Sequence, residues 1–261
     1  MTAFYEPLGG GRFAPTEHTA GPWSPDAQHF GPPSALLVRS LEEVPATRES
    51  RLARVTVEIL GPAPLTELTV RARVERPGRS VELLSAELSA DGKVVARASA
   101  WRLVTSDSTE VIAGGAEPLL VPPERAGPAD WPEHWLGADR GYLAATEWRA
   151  VRGSMVDPGP AAVWVRQRVA LVGGEKPSPL QRLFAVADSG NGVSNYLDPR
   201  RWWFINTELT VHIQREPAGE WIGLDARTVV GPDGIGTATS ELHDQGGQVA
   251  TGAQALLVRP R

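Results

Sequence analysis

Apolar residues recur along this chain with two alternating periods. After Gly31-Pro32-Pro33, the residues Ala35, Leu37, Val38 and Leu41 keep helical spacing. Proline suits a helix entrance, where its missing N–H has no partner to lose. Residues 54–60 and 68–75 then alternate, as do 80–89 and 94–104, and Asp91-Gly92 between the last two predicts a hairpin turn. The same succession returns later. Residues 146–151 and 162–171 read as strands. Ser178 is placed as the cap and Pro179 as the first residue of a second helix, whose stripe is Leu180, Leu183, Phe184 and Ala187. Gly190 is placed to end it. Strands at 205–213, 221–229, 236–243 and 248–258 complete the pattern. One helix followed by a run of antiparallel strands, twice over, predicts an α+β chain in which each curved sheet wraps its own helix.

The recurrence reaches individual residues. Residues 85–104 align without a gap on 239–258, an offset of 154 (239 minus 85), with seven of the twenty positions identical. Residues 55–59 fall on 209–213 at the same offset. The chain therefore reads as a tandem duplication: an N-terminal unit over residues 1–104, a linker over 105–143 and a C-terminal unit over 144–261. The linker is rich in Pro, Gly and Glu, and Trp131-Pro132-Glu133-His134-Trp135 reads as its pin to the body, with a substrate-facing role as the alternative.

Composition narrows the chemistry. A net charge of −5 gives no basic field for nucleic acid. The absence of cysteine excludes disulfides, thiolate metal sites and a cysteine nucleophile. The histidine pairs His18/His29 and His134/His212 lack ligand spacing, so no metal or cofactor is expected. No apolar run approaches the ~20 residues that span a bilayer, and residues 1–11 lack a signal pattern, so a cytoplasmic setting without membrane partners is expected. Gly9-Gly10-Gly11 has no preceding strand in this reading and no following Lys-Ser/Thr, which excludes a phosphate loop. No G-x-S-x-G elbow is present.

Differences between the copies point to the candidate site. Aligning Pro33 with Pro179 gives an offset of 146 (179 minus 33), so copy two carries extra residues between helix and strand, within 189–203. Long glycine-bearing loops tend to be functional. Asp188 continues the buried helix stripe and lies at the negative end of the helix dipole; it is either an acid with a raised pKa or a cap for the following turn. Gln254 replaces Ala100 and is buried or solvated depending on which face of its strand is covered. Asn206-Thr207 replaces Leu52-Ala53, and Asn is the less usual strand residue. Glu58 and Glu208 are read as equivalents, which speaks against a role unique to Glu208. One acid with amides and a hydroxyl suits the activation of water.

These features resemble the acyl-CoA thioesterase II-like family over nearly the whole chain, through residues 163–166, 180–188 and 208–213 and the terminal Ala253-Gln254. The resemblance implies a double hotdog fold and hydrolysis of acyl-CoA or a related pantetheine thioester. It implies Asp188 as general base, Gln254 as a holder of the water, and the family's hydroxyl position at Asn206 with Thr207 adjacent. It also implies a homodimer. The departures are Asn206 itself and the helix entrance His29-Phe30-Gly31-Pro32-Pro33, where relatives often carry Gly-Gly. Proline supplies no N–H to an oxyanion hole. His29, Gly31, Arg201 and Trp202 are the expected substrate contacts, the last two at the CoA phosphates or adenine. Two other readings stand beside the thioesterase: a weak or inactive acyl-thioester binder, grounded on the proline entrance and Asn206, and a hydratase using His29 with Asp26 as its nearest acid.

Overall fold

The computed structural model describes residues 3–24, 26–115, 118, 121–132 and 140–261. Among these, one continuous sheet of 15 strands forms. Copy one contributes β1 (Ala3–Gly9), β2 (Arg12–Pro15), β3 (Ser50–Ile59), β4 (Leu68–Arg76), β5 (Val81–Ala90) and β6 (Lys93–Val104). The rest of the chain adds β7 (Gly127–Pro128), β8 (Thr146–Arg152), β9 (Ala161–Gln167), β10 (Ala170–Val172), β11 (Trp202–Asn206), β12 (Glu208–Ile213), β13 (Ile222–Val230), β14 (Ile235–Asp244) and β15 (Gly247–Pro260). The helices are α1 (Gly31–Glu42), α2 (Gly141–Ala144), α3 (Pro179–Ala187) and α4 (Gly190–Val193). The fold is the expected double hotdog.

The strand order is β10-β1-β2-β4-β5-β6-β3-β12-β15-β14-β13-β9-β8-β7, with β11 also on β15. It reads nearly the same from both ends about the β3·β12 seam. There Thr56 and Thr210, counterparts at the offset of 154, face each other and share a hydrogen bond of 3.0 Å between their hydroxyls. A pseudo-twofold axis thus passes between a residue and its own repeat. Even the irregularities are duplicated: the β5·β6 ladder shifts register at Leu88/Ser89 and the β14·β15 ladder at the matching Leu242/His243. Glu58 and Glu208 are not equivalents, as the sequence reading had them. They are cross-strand partners on the seam.

α1 is buried along almost its whole length, the central rod of copy one. α3 begins as expected: the Ser178 hydroxyl accepts the Gln181 N–H at 3.1 Å and Pro179 follows. The two helices lie side by side and antiparallel. At one end the C-terminal Glu42 of α1 accepts from Ser178 Oγ (2.8 Å) and Gln181 Nε2 (2.7 Å) at the start of α3. At the other, Asp188 at the end of α3 reaches His29 and Phe30 at the start of α1. Glu42 and Asp188 are related by the same 146 that relates the prolines (188 minus 42). Their approach depends on Gly31, where a Cβ would collide with the carbonyl oxygen of Ala185.

Four local readings need correction. β1 and β2 form a hairpin at the N-terminus, so Gly9-Gly10-Gly11 does follow a strand. It is their turn, with φ of 79°, 63° and 77° that glycine alone adopts freely. Gly190 does not end the helical path but opens α4 after a break at Asp188 and Ser189. Residues 162–171 divide into β9 and β10, and 205–213 into β11 and β12, the latter at Thr207, the counterpart of the bulge beside Leu52 in β3. The segment read as linker holds β7 and α2. Trp131 packs edge-on against Trp148 at 5.1 Å between ring centroids, while Glu133, His134 and Trp135 lie outside the described residues.

The helix contact yields a test. Gly31→Ala should cost about 2–4 kcal/mol in urea unfolding, because the backbone of α3 must give way. An unchanged midpoint would contradict the close approach.

Candidate active site

The break between α3 and α4 is where the chemistry gathers. A polypeptide leaving a buried helix has carbonyls and N–H groups to satisfy, and here Gln254 does it. Its Nε2 donates to the Asp188 carbonyl and its Oε1 accepts the Asn191 N–H, both at 3.0 Å. Gln254 is buried, which settles the face of its strand. Ala100 in copy one has no such break to clasp. A Cβ at Gly190 would press on the Gln254 amide oxygen at 2.9 Å, so the glycine makes room for the clasp.

With the main chain held, the Asp188 side chain points away from its own turn. Its Oδ1 accepts from Asn206 Nδ2 at 2.7 Å, and a backbone hydrogen bond comes from Phe30. The residue is 5% exposed. Burial pushes its pKa up to about 6, against the opposing pull of these two donors. Asp188 is therefore the raised acid of the two alternatives, not the cap of the following turn.

His29 lies beside it, with Nδ1 3.7 Å from Asp188 Oδ2. This is not an ion pair. Burial lowers the His29 pKa to about 3, so the ring is neutral, and Nδ1 already accepts the Gly31 N–H at 3.0 Å. The proton therefore sits on Nε2. The ring stacks on Tyr142 at 3.8 Å and 6°, and the Tyr142 hydroxyl donates to the Ala185 carbonyl at 2.7 Å. The acid next to His29 is Asp188. Asp26, its expected neighbour, is exposed and outside the cavity.

These groups line a cavity of about 470 Å³ between the copies. Its walls are largely apolar, and it takes residues from the helix entrance of copy one, the 189–203 loop and β11. His29, Asp188, Asn206, Thr207 and Trp202 all reach it. Thr207 lies at the exposed rim, its hydroxyl on the Ala255 carbonyl at 3.3 Å. Gly31 sits behind His29, and Gln254 behind Asp188. Arg201 is exposed and does not line the cavity. The sequence reading missed Arg261, which does, its guanidinium 3.9 Å over the Trp203 ring. It also missed Tyr142 and Trp148, which carry no signal beyond their aromatic character. Among the described residues no group of three or more acidic, histidine or cysteine side chains is placed to hold a metal. No helix among the described residues is long and apolar enough to cross a membrane.

Comparison with known proteins shows the family of the chain. Residues 19–103 match the acyl-CoA thioesterase N-terminal domain and residues 123–258 the acyl-CoA thioesterase C-terminal domain. The chain belongs to the acyl-CoA thioesterase family. Among solved structures it is similar to a hot dog fold protein of unknown function from Alicyclobacillus acidocaldarius, at 18% identity and a TM-score of 0.75 over 97% of this chain and 95% of that one. It is also similar to acyl-CoA thioesterase II TesB2 from Mycobacterium marinum, at 17% identity and 0.67 over 98% and 96%. The tesB protein of Mycobacterium avium subs paratuberculosis aligns at 15% and 0.66 over the same shares. At these identities the structures speak to fold alone. No curated protein sequence matches the chain.

The raised carboxyl has a consequence for stability. A folded pKa of about 6 lies above the ~3.9 of an unfolded aspartate. The protonated form is thus favoured by folding, and that benefit is lost as pH rises through 6. Asp188→Asn, which cannot ionise, should melt about 4–8 °C above wild type at pH 7.5 and close to it at pH 4. A lower melting temperature at pH 7.5 would show that the carboxylate is stabilised rather than strained in place.

Proposed function

We propose that the chain hydrolyses acyl-CoA or related pantetheine thioesters, with Asp188 as the general base. The observation that carries this reading is a buried carboxylate with a pKa near neutrality, fixed by Asn206 on one oxygen, at the wall of an apolar cavity. Above pH 6 the carboxylate takes a proton from water as the water oxygen attacks the thioester carbonyl. The tetrahedral oxyanion collapses with cleavage of the C–S bond, and the proton on Asp188 passes to the departing thiolate. Asn206 fills the family's hydroxyl position by orienting the base. Gln254 acts as a positioning residue: its amide holds the main chain that carries Asp188.

The oxyanion needs a donor, and the entrance of α1 has none free. The Phe30 N–H serves Asp188, the Gly31 N–H serves His29, and Pro32 and Pro33 have none. Neutral His29 supplies one instead. Its Nε2–H has no hydrogen-bond partner among the described residues, and the ring lines the cavity. A neutral imidazole with a lowered pKa is a suitable electrophile for a developing oxyanion. Arg261, stacked on Trp203 at the rim, is placed to meet a charged part of the thiol carrier.

The spent backbone N–H groups are also the specific ground for a second reading, a protein that binds acyl thioesters without cleaving them. Thiol release over a panel of acyl-CoAs separates the two. Hydrolysis should appear, and kcat/KM should fall on the acid side through a single ionisation near pH 6, the carboxylate being the active form. Binding without thiol release would establish the second reading, and a profile flat between pH 5 and 7 would remove Asp188 as base. His29→Ala should lower kcat by roughly 10²-fold with KM little changed; unaltered kcat would place the oxyanion donor elsewhere.

A further inference from the structure

We propose that the acyl group this site accepts is a compact aromatic one, an aryl or arylacetyl group, in preference to a long linear chain; this rests on the thioester reading above and names its substrate class. Small-molecule sites span roughly 300–1,000 Å³, and the cavity of about 470 Å³ is at the small end. It must also admit the thioester and the start of the thiol carrier. The space left for the acyl group is correspondingly short.

Aromatic rings are prominent in the lining of that space, set among aliphatic side chains such as Ile59, Leu143 and Met155. At least five of the nine tryptophans line the cavity, with Phe30, Tyr142 and Phe204. On the buried side the rings are continuous. His29 stacks on Tyr142, Tyr142 meets the edge of Trp148 at 6.2 Å, and Trp148 meets Trp131 at 5.1 Å, both at near-perpendicular angles. Hydrogen bonds fix these rings. The Trp148 indole N–H donates to Thr146 Oγ1 at 2.6 Å and the Tyr142 hydroxyl to Ala185. Trp148 therefore offers the cavity apolar ring surface, its polar atom already paired.

The wall also begins at the reacting centre. Tyr142 is one stacked ring from His29, whose Nδ1 is 3.7 Å from Asp188. A carbonyl held for attack there places its first acyl carbons against the rings at once. A linear chain gains from a long slot with adaptable aliphatic walls. A planar group gains from fixed faces and edges, where ring pairs prefer offset or edge-on geometry and add to area burial.

The test compares phenylacetyl-CoA with octanoyl-CoA, which have equal numbers of acyl carbons, and with palmitoyl-CoA. Binding to the Asp188→Asn protein is followed by tryptophan fluorescence, and thiol release by wild type. Phenylacetyl-CoA should bind about tenfold tighter than octanoyl-CoA, the sum of two favourable ring contacts. Trp148→Leu should bring that ratio to about threefold or less with octanoyl-CoA binding retained. Trp148 is buried, so Trp131→Leu, at a half-buried ring, provides a second reading should the first variant fail to fold. Equal or tighter binding of octanoyl- or palmitoyl-CoA would overturn the proposal even if every thioester is hydrolysed. Aryl preference in binding without thiol release from any substrate would uphold it and remove the hydrolase reading. Binding of none would remove both.

Discussion

The site depends on how closely α1 and α3 approach. At Gly31 the backbone of one helix meets the carbonyl of Ala185 on the other, a contact that any side chain at Gly31 would prevent. That approach sets the end of α3 against the start of α1. It brings a carboxylate, which a helix C-terminus disfavours, to a helix N-terminus, which favours it. It also encloses that carboxylate in apolar surroundings, and burial dominates, leaving the group near neutral pKa. Position and acidity are thus products of one packing contact.

The duplication shows what makes the Asp188 end of the helix pair chemical. At the Glu42 end the matching carboxylate is held by Ser178 and Gln181, side chains of the helix it caps. It lies outside the cavity. At the Asp188 end the helix breaks, the 189–203 loop opens a space, and Asn206 replaces the apolar Leu52. The same symmetric scaffold therefore carries a structural carboxylate at one end and a candidate base at the other. Gln254 belongs to this difference: it clasps the main chain where α3 gives way to α4, whereas no second helical turn follows α1.

The duplicated hairpin and the seam were legible because β alternation and an ungapped offset leave direct traces in the residues. Asn206 and Gln254 stood out as polar residues replacing apolar ones between copies, and Asp188 as a carboxylate that continues a buried helix stripe at the negative end of the dipole. The N-terminal hairpin was not legible, since Ala3 to Pro15 alternates weakly and its three glycines suggested a loop. Nor was the aromatic wall. Tyr142 and Trp148 sit in and just after the stretch read as linker, and their convergence on His29 depends on long-range contacts. The pairing of His29 with Asp188 rather than Asp26 has the same origin: proximity along the chain is a poor guide where two helices, 146 residues apart in register, pack antiparallel side by side.

The central claim is that this helix contact yields a carboxylate poised as a base. A carboxyl-carbon NMR titration of Asp188, assigned by the resonance that Asp188→Asn removes, tests it most directly. The account predicts a midpoint near pH 6. A midpoint near the ordinary aspartate value of about 3.9 would contradict it, because the enclosure described for Asp188 would then not govern its charge.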